Sequence, residues 1–157
     1  MKDEKKVDNQ PQSDSNSKIE VIKNSSYKYV GNVKNGLKHG KGEIKYANGS
    51  SYNGNWENDQ KNGKGFYIYQ DDTEYEGDFK NDKRHGIGQL TYLNIFEPNN
   101  SDSKGWAVDT SVTINREKFV GSFVNDQKHG FGIHYKSDGT AAIQEWEEGQ
   151  KRSGIDE

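Results

Sequence analysis

The chain has 157 residues, enough for one domain or two small ones, yet only 28% are hydrophobic against 30% charged, with a mean hydropathy of −1.24. That balance is typical of disordered segments, but 9 Tyr, 6 Phe and 3 Trp gather the apolar surface into rings, so a thin aromatic core is expected rather than a thick aliphatic one. A net charge of −3 disfavours a nucleic acid or an anionic membrane recognised through the whole-protein field, and the absence of cysteine excludes disulfides, thiolate zinc sites and cysteine nucleophiles.

Residues 1–17 are polar and mixed in charge and read as a disordered tail. The segment has neither the apolar stretch of a signal peptide nor a glycine after the first methionine, and no run in the chain approaches about 18 apolar residues. A cytoplasmic protein is expected. Residues 18–28 form a capping segment, in which "KIEVIK" lies one period ahead of "GEIKY" and can protect the edge of an open sheet.

From residue 29 to residue 150 the chain repeats itself every 23 residues. Gly31, Gly54 and Gly77 keep that spacing, as do Gly40, Gly63 and Gly86, and Gly42, Gly65 and Gly88. Gly121, Gly130 and Gly132 follow after one period plus a 21-residue insertion. Tyr29, Tyr52, Tyr75 and Phe119 open the units, and Val33, Trp56, Phe79 and Phe123 come four residues later. The units are 29–50, 52–73, 75–92 and 119–140, with a degenerate fifth at 141–154 that contains Trp146, and a C-terminal tail at 151–157.

Each unit reads as a β-hairpin. "YNGNW" alternates at period two, "NDQKN" supplies a turn, and "GKGFYIY" returns. "ANGSS" and "SDGT" link one unit to the next through Asn-Gly and Asp-Gly. Strand glycines opposite the aromatics let a neighbouring ring lie flat on the backbone. The Gly40–Gly42 pair beside His39 is not a phosphate loop, because no helix follows it; it reads as a turn. His39, His85 and His129 share that turn position, with Asn62 in the second unit. Equivalent residues two strands apart are separated by about 9.5 Å, too far to converge on one zinc ion. No catalytic triad or pair of catalytic carboxylates stands out, so no enzyme, metal or cofactor is expected.

"YEGDFKNDKRHGIGQLTY" (75–92) closely resembles the MORN repeat, with Tyr-Glu-Gly-x-Trp/Phe, a polar turn, Gly-x-Gly and a closing aromatic. The resemblance covers residues 29–140 apart from the insertion. It implies an all-β fold: an elongated single-layer antiparallel sheet of tandem 23-residue hairpins. Nine to ten strands over 18–150 would extend about 45 Å. It also implies an assembly module, similar to the radial-spoke-head and cytoskeletal proteins built only of such repeats.

Departures from the repeat point to specificity. The insertion, 93–117, lengthens its two flanking strands into a protruding hairpin. Counting by twos places Leu93, Ile95, Val112 and Ile114 on the face opposite the core aromatics, with Phe66, Ile68, Ile133 and Tyr135. Trp106 is a candidate anchor. An apolar outer face marks a partner interface, a covering segment, or a bulge that changes the register. The favoured reading is a non-catalytic scaffold that binds other protein subunits in an intracellular assembly, ciliary, axonemal or cytoskeletal. The alternatives are a regulatory subunit of a separate enzyme and a phospholipid-binding adaptor, docked through Lys38, Lys61, Lys83, Arg84 and Lys128 along one edge.

Overall fold

A computed structural model describes residues 16–96 and 113–152, with side chains described for 16–93 and 116–152. Residues 1–15, 97–112 and 153–157, and with them most of the N-terminal tail, Trp106, Val112 and the tip of the insertion, lie outside the described residues.

All regular structure among the described residues is β. Eleven strands run β1 (Ser17–Lys23), β2 (Tyr27–Lys34), β3 (Leu37–Tyr46), β4 (Ser51–Glu57), β5 (Gln60–Ile68), β6 (Glu74–Lys80), β7 (Lys83–Phe96), β8 (Thr113–Val124), β9 (Gln127–Tyr135), β10 (Ala141–Glu147) and β11 (Gln150–Lys151). They form one open antiparallel sheet in strict sequence order. The two-residue β11 carries the count past the expected nine to ten.

The hairpins close on two-residue turns at Asn35–Gly36, Asn58–Asp59, Asn81–Asp82, Asn125–Asp126 and Glu148–Gly149. Both central residues have positive φ in every case (Asn58 49°, Asp59 69°), the type I′ geometry whose twist suits paired strands. Units are joined by looser connections. In these, Asn48, Asp71 and Asp138 accept hydrogen bonds from the backbone two residues on, so the Asn-Gly at 48–49 lies in a longer loop than a two-residue hairpin turn.

The Gly-x-Gly is not a turn. Gly40 and Gly42 lie inside β3, pairing with Trp56 and Gly54 of β4. Between Gly31 and Val33 the pairing with β3 slips, so that four steps of β3 oppose two of β2, and Gly40 takes up the bulge with φ +66°. The slip recurs at Gly54/Trp56, Gly77/Phe79 and Gly121/Phe123. His39, His85 and His129 consequently belong to strands β3, β7 and β9.

The described residues form no second layer, and the core sits on one face of the sheet. Tyr29, Val33, Ile44, Tyr52, Trp56, Tyr75, Phe79, Leu90, Phe119 and Phe123 are buried there. The opening rings lie on glycine backbone: a Cβ built on Gly42 would be 2.3 Å from the Tyr29 hydroxyl and 2.4 Å from its ring. Tyr29, Tyr52 and Tyr75 donate their hydroxyls to the carbonyls of Asn32, Asn55 and Asp78 at 2.7–2.9 Å. From Tyr29 to Trp146 the rings meet edge to face, with centroids 5.1–6.0 Å apart, in one unbroken zigzag across the units. Each ring is thereby roofed by its neighbours.

Candidate functional site: the two faces of the sheet

The aromatic face carries a cation at one position of each hairpin, the second residue after the turn. Lys38 extends over the rings of Tyr27, Tyr29 and Trp56, Lys61 over Tyr52 and Tyr67, and Arg84 over Tyr69, Tyr75 and Phe123, at 5.3–5.9 Å from the centroids. Each meets an aspartate from the next hairpin turn: Lys38–Asp59 3.1 Å, Lys61–Asp82 3.2 Å, Arg84–Asp126 3.3 Å. The same carboxylate oxygen accepts from the backbone N–H of its cationic partner at 2.8–2.9 Å. Burial opposes ionisation of Asp59, but hydrogen bonds from the Lys38 N–H and ammonium outweigh it and hold the carboxyl below its ordinary value. These cations are turned onto the rings: the Lys38 and Lys61 side chains are only 12% exposed and Arg84 20%. Of the five residues named for the lipid-contact edge, Lys83 alone is fully exposed, while Lys128 is half-buried.

The opposite face carries one continuous cross-strand row. Register aligns Val21, Val30, Glu43, Asn53, Phe66, Glu76, Gln89, Val120, Ile133 and Ile143. Its middle is polar around Phe66. Its C-terminal end is apolar, with Val120, Ile133 and Ile143 flanked by Ile87, Phe131 and Tyr135; Phe131 and Ile143 are each 66% exposed. Phe66, Ile87 and Val120 line a shallow groove together with Asn53, Lys64 and Gln89. Tyr135 faces outward because it pairs with Lys118 in unbroken register; no additional bulge intervenes. Ile68 is half-buried on the same face, opposite Ser51. Leu93 is half-buried and borders a depression that Tyr92 also lines. Ile95 and Ile114 are directly paired where β7 and β8 extend past the other strands.

The family model described as the MORN repeat matches residues 29–51, 52–74, 75–94 and 119–141. This chain belongs to the MORN-repeat family. A search of curated proteins found no match. MORN repeats commonly serve as modules for protein or membrane interaction and are binding repeats, not an enzyme family. No helix among the described residues is long and apolar enough to cross a membrane.

The last MORN units contain groups that the sequence reading did not single out. His134 replaces the Ile44, Tyr67 or Leu90 of earlier units, contacts Glu117 at 3.0 Å and lies 3.2 Å from Gln144. Gln144 is buried, stands where Gly54, Gly77 and Gly121 occur, and accepts from the Trp146 indole at 3.2 Å. The signal lay in the repeat alignment itself, as polar residues at core positions. His85 Nδ1 is buried without a hydrogen-bond partner, and no group of three or more potential metal ligands occurs among the described residues.

Proposed function

We propose that this MORN-repeat protein is a non-catalytic scaffold that binds another protein subunit through the outer face of its sheet, within a cytoskeletal or ciliary assembly. One observation carries the reading: the apolar row Val120–Ile133–Ile143, in register across three strands, half-buried at Val120, exposed at Ile133 and Ile143, and flanked by the exposed Phe131 and Tyr135. Scattered surface hydrophobics need no explanation, but a contiguous row beside a groove is the usual mark of an interface. The insertion breaks the translational equivalence of the repeats and supplies Leu93, Ile95, Trp106, Val112 and Ile114 to define one docking position along the ribbon. Phe66 and Ile68 continue the surface toward the N-terminus.

The test is affinity purification from the native cell with quantitative mass spectrometry. Wild type is compared with an Ile133→Thr/Ile143→Thr variant and with a variant lacking residues 97–107. A defined set of subunits lost from both, with circular dichroism unchanged, supports the scaffold. The phospholipid reading is weakened by the inward turn of Lys38, Lys61 and Arg84. Flotation of the purified chain with phosphatidylserine vesicles, undiminished by the outer-face changes, would favour it instead.

A further inference from the structure

The pairing of cation and aspartate that organises the first three hairpins fails in the fourth. Lys128 occupies the position of Lys38, Lys61 and Arg84, over the rings of Phe119, Tyr92 and Trp146. The turn that should supply its carboxylate ends in Gly149 rather than Asp. The backbone contact survives, since Gly149 N–H donates to the Lys128 carbonyl at 3.0 Å, as Asp59 N–H does to Lys38 at 2.9 Å. Only the side-chain carboxylate is missing. No acidic group among the described residues pairs with the Lys128 ammonium, which has settled closer to the rings, at 4.2–5.0 Å against 5.3–5.9 Å for its counterparts.

The space beside it is open. A depression of about 450 Å³ is lined by Lys128, Tyr92, Trp146, Gln144 and Lys151, with Glu117 and Asp71 in its walls. Neither acid is available to Lys128: Glu117 is held by His134 at 3.0 Å, and Asp71 caps the Thr73 N–H at 3.0 Å. A half-buried ammonium without a counter-ion carries an unrelieved desolvation cost. Burial, and after it the Arg84 charge, push Lys128 down to about 8.

We infer that the cell around Lys128 receives an aspartate or glutamate side chain from a protein partner, completing in trans the ion pair that the chain makes with itself in the three preceding hairpins. The internal precedent sets the chemistry. In each earlier cell one carboxylate oxygen takes both the backbone N–H and the cationic group, and the fourth cell holds its ammonium over the rings at the equivalent position. Since the Gly149 N–H sits on the Lys128 carbonyl as Asp59 N–H sits on that of Lys38, and glycine has no side chain, the acid must enter from outside the sheet, over the glycine. The site lies on the aromatic face and is independent of the apolar outer row, so either can fail alone.

The fold offers its own control. Gly149 has φ +78°, close to the 68–70° of Asp59, Asp82 and Asp126, and the nearest atoms to a Cβ there are Gln127 carbons at 3.6–3.8 Å, ordinary contact distances. Gly149→Asp should therefore close the cell from within. The assay titrates the isotopically labelled full chain with the capped peptide acetyl-Ser-Asn-Asp-Gly-Ser-amide, following the Lys128 amide and the Trp146 indole by NMR. The expected result is saturable shifts at both, at least tenfold weaker for the Asn-for-Asp peptide, and abolished in Gly149→Asp, in which the Lys128 ammonium titrates above its wild-type value. Equal response to the two peptides, an equal response to inorganic phosphate, or undiminished binding by Gly149→Asp would overturn the inference.

Discussion

Gly65→Ala tests the packing that makes a single-layer sheet stable. A Cβ at residue 65 would lie 2.3 Å from Cε2, 2.4 Å from the hydroxyl and 2.6 Å from Cζ of Tyr52. Comfortable carbon contacts begin near 3.5 Å, so the new methyl overlaps the ring by about 1 Å or more. The ring has nowhere to retreat. Its hydroxyl is bonded to the Asn55 carbonyl at 2.8 Å, and Trp56 and Phe79 press edge-on at 5.2 and 5.1 Å. Overpacking of this kind costs about 1–3 kcal/mol, and the fixed ring argues for about 3. Alanine returns about 0.5–1 kcal/mol through its smaller backbone entropy loss. The net expectation is a loss of about 2–2.5 kcal/mol, or about 4–10 °C in Tm at about 2–4 °C per kcal/mol for a chain of this size. Urea unfolding followed by tryptophan fluorescence measures it. Tyr52→Leu should absorb the methyl, so the double variant should be at least about 1 kcal/mol more stable than additivity predicts. Gly65→Ala within about 0.5 kcal/mol of wild type, or strict additivity, would refute the reasoning.

Trp56→Ala should destabilise by about 3–5 kcal/mol, toward the lower end because one side of the sheet is open, and should also free the Gly42 carbonyl bonded by the indole at 3.0 Å; denaturant midpoints decide it. Asp59, depressed below 3.8, contributes stability that is present above that value and lost as pH falls through its lower folded value, so acid unfolding of Asp59→Asn should lack part of that limb. Lys128 works at the other end of the scale. Its folded value near 8 lies below the ordinary 10.5, so the unfolded chain binds more protons between them and stability should rise with pH from about 8. Tyr29, Tyr46 and Tyr92, pushed up to about 12, reverse the slope above pH 10, giving a maximum near pH 10 in thermal melts that Lys128→Met should flatten.

The fold was legible because the 23-residue beat fixes which residues share a face, and parity alone separated Tyr52 and Trp56 from Phe66. The glycines were less so. Gly40 was read as a turn because a polar Gly-rich stretch has the same local signature whether it reverses the chain or bulges within a strand; only pairing with β2 on one side and β4 on the other distinguishes them. The inward lysines were missed for a related reason. Lys38 lies in a polar, glycine-rich stretch with Leu37 its one apolar neighbour, and one of the rings that shelter it, Trp56, belongs to the following unit. Asp59, Asp82 and Asp126 follow their partners Lys38, Lys61 and Arg84 by 21 to 42 residues, so the bonds cross between units. The break at Gly149 follows from the alignment once that pairing is known. The side chains of Ile95 and Ile114, and all of Trp106 and Val112, fall outside the described residues, so their part in recognition rests on position.

Strict sequence order in the sheet has a kinetic consequence. Every strand pairs only with its neighbours along the chain, so contacts are local, and hairpins can form anywhere and spread outward. One step differs. Sixteen residues separate Phe96 from Thr113, where the other strand connections span two to five. Loop closure across that span costs about 2 kcal/mol more than across a two-residue turn. The same junction carries the longest ladder, eleven paired positions from Gly86↔Phe123 to Phe96↔Thr113, against six or seven across the other fully formed strand pairs. The extra pairs hold the two halves together once the ends have met. The slow step of folding therefore belongs at the β7–β8 joint, and shortening the connection there should accelerate refolding while leaving the unfolding rate nearly unchanged.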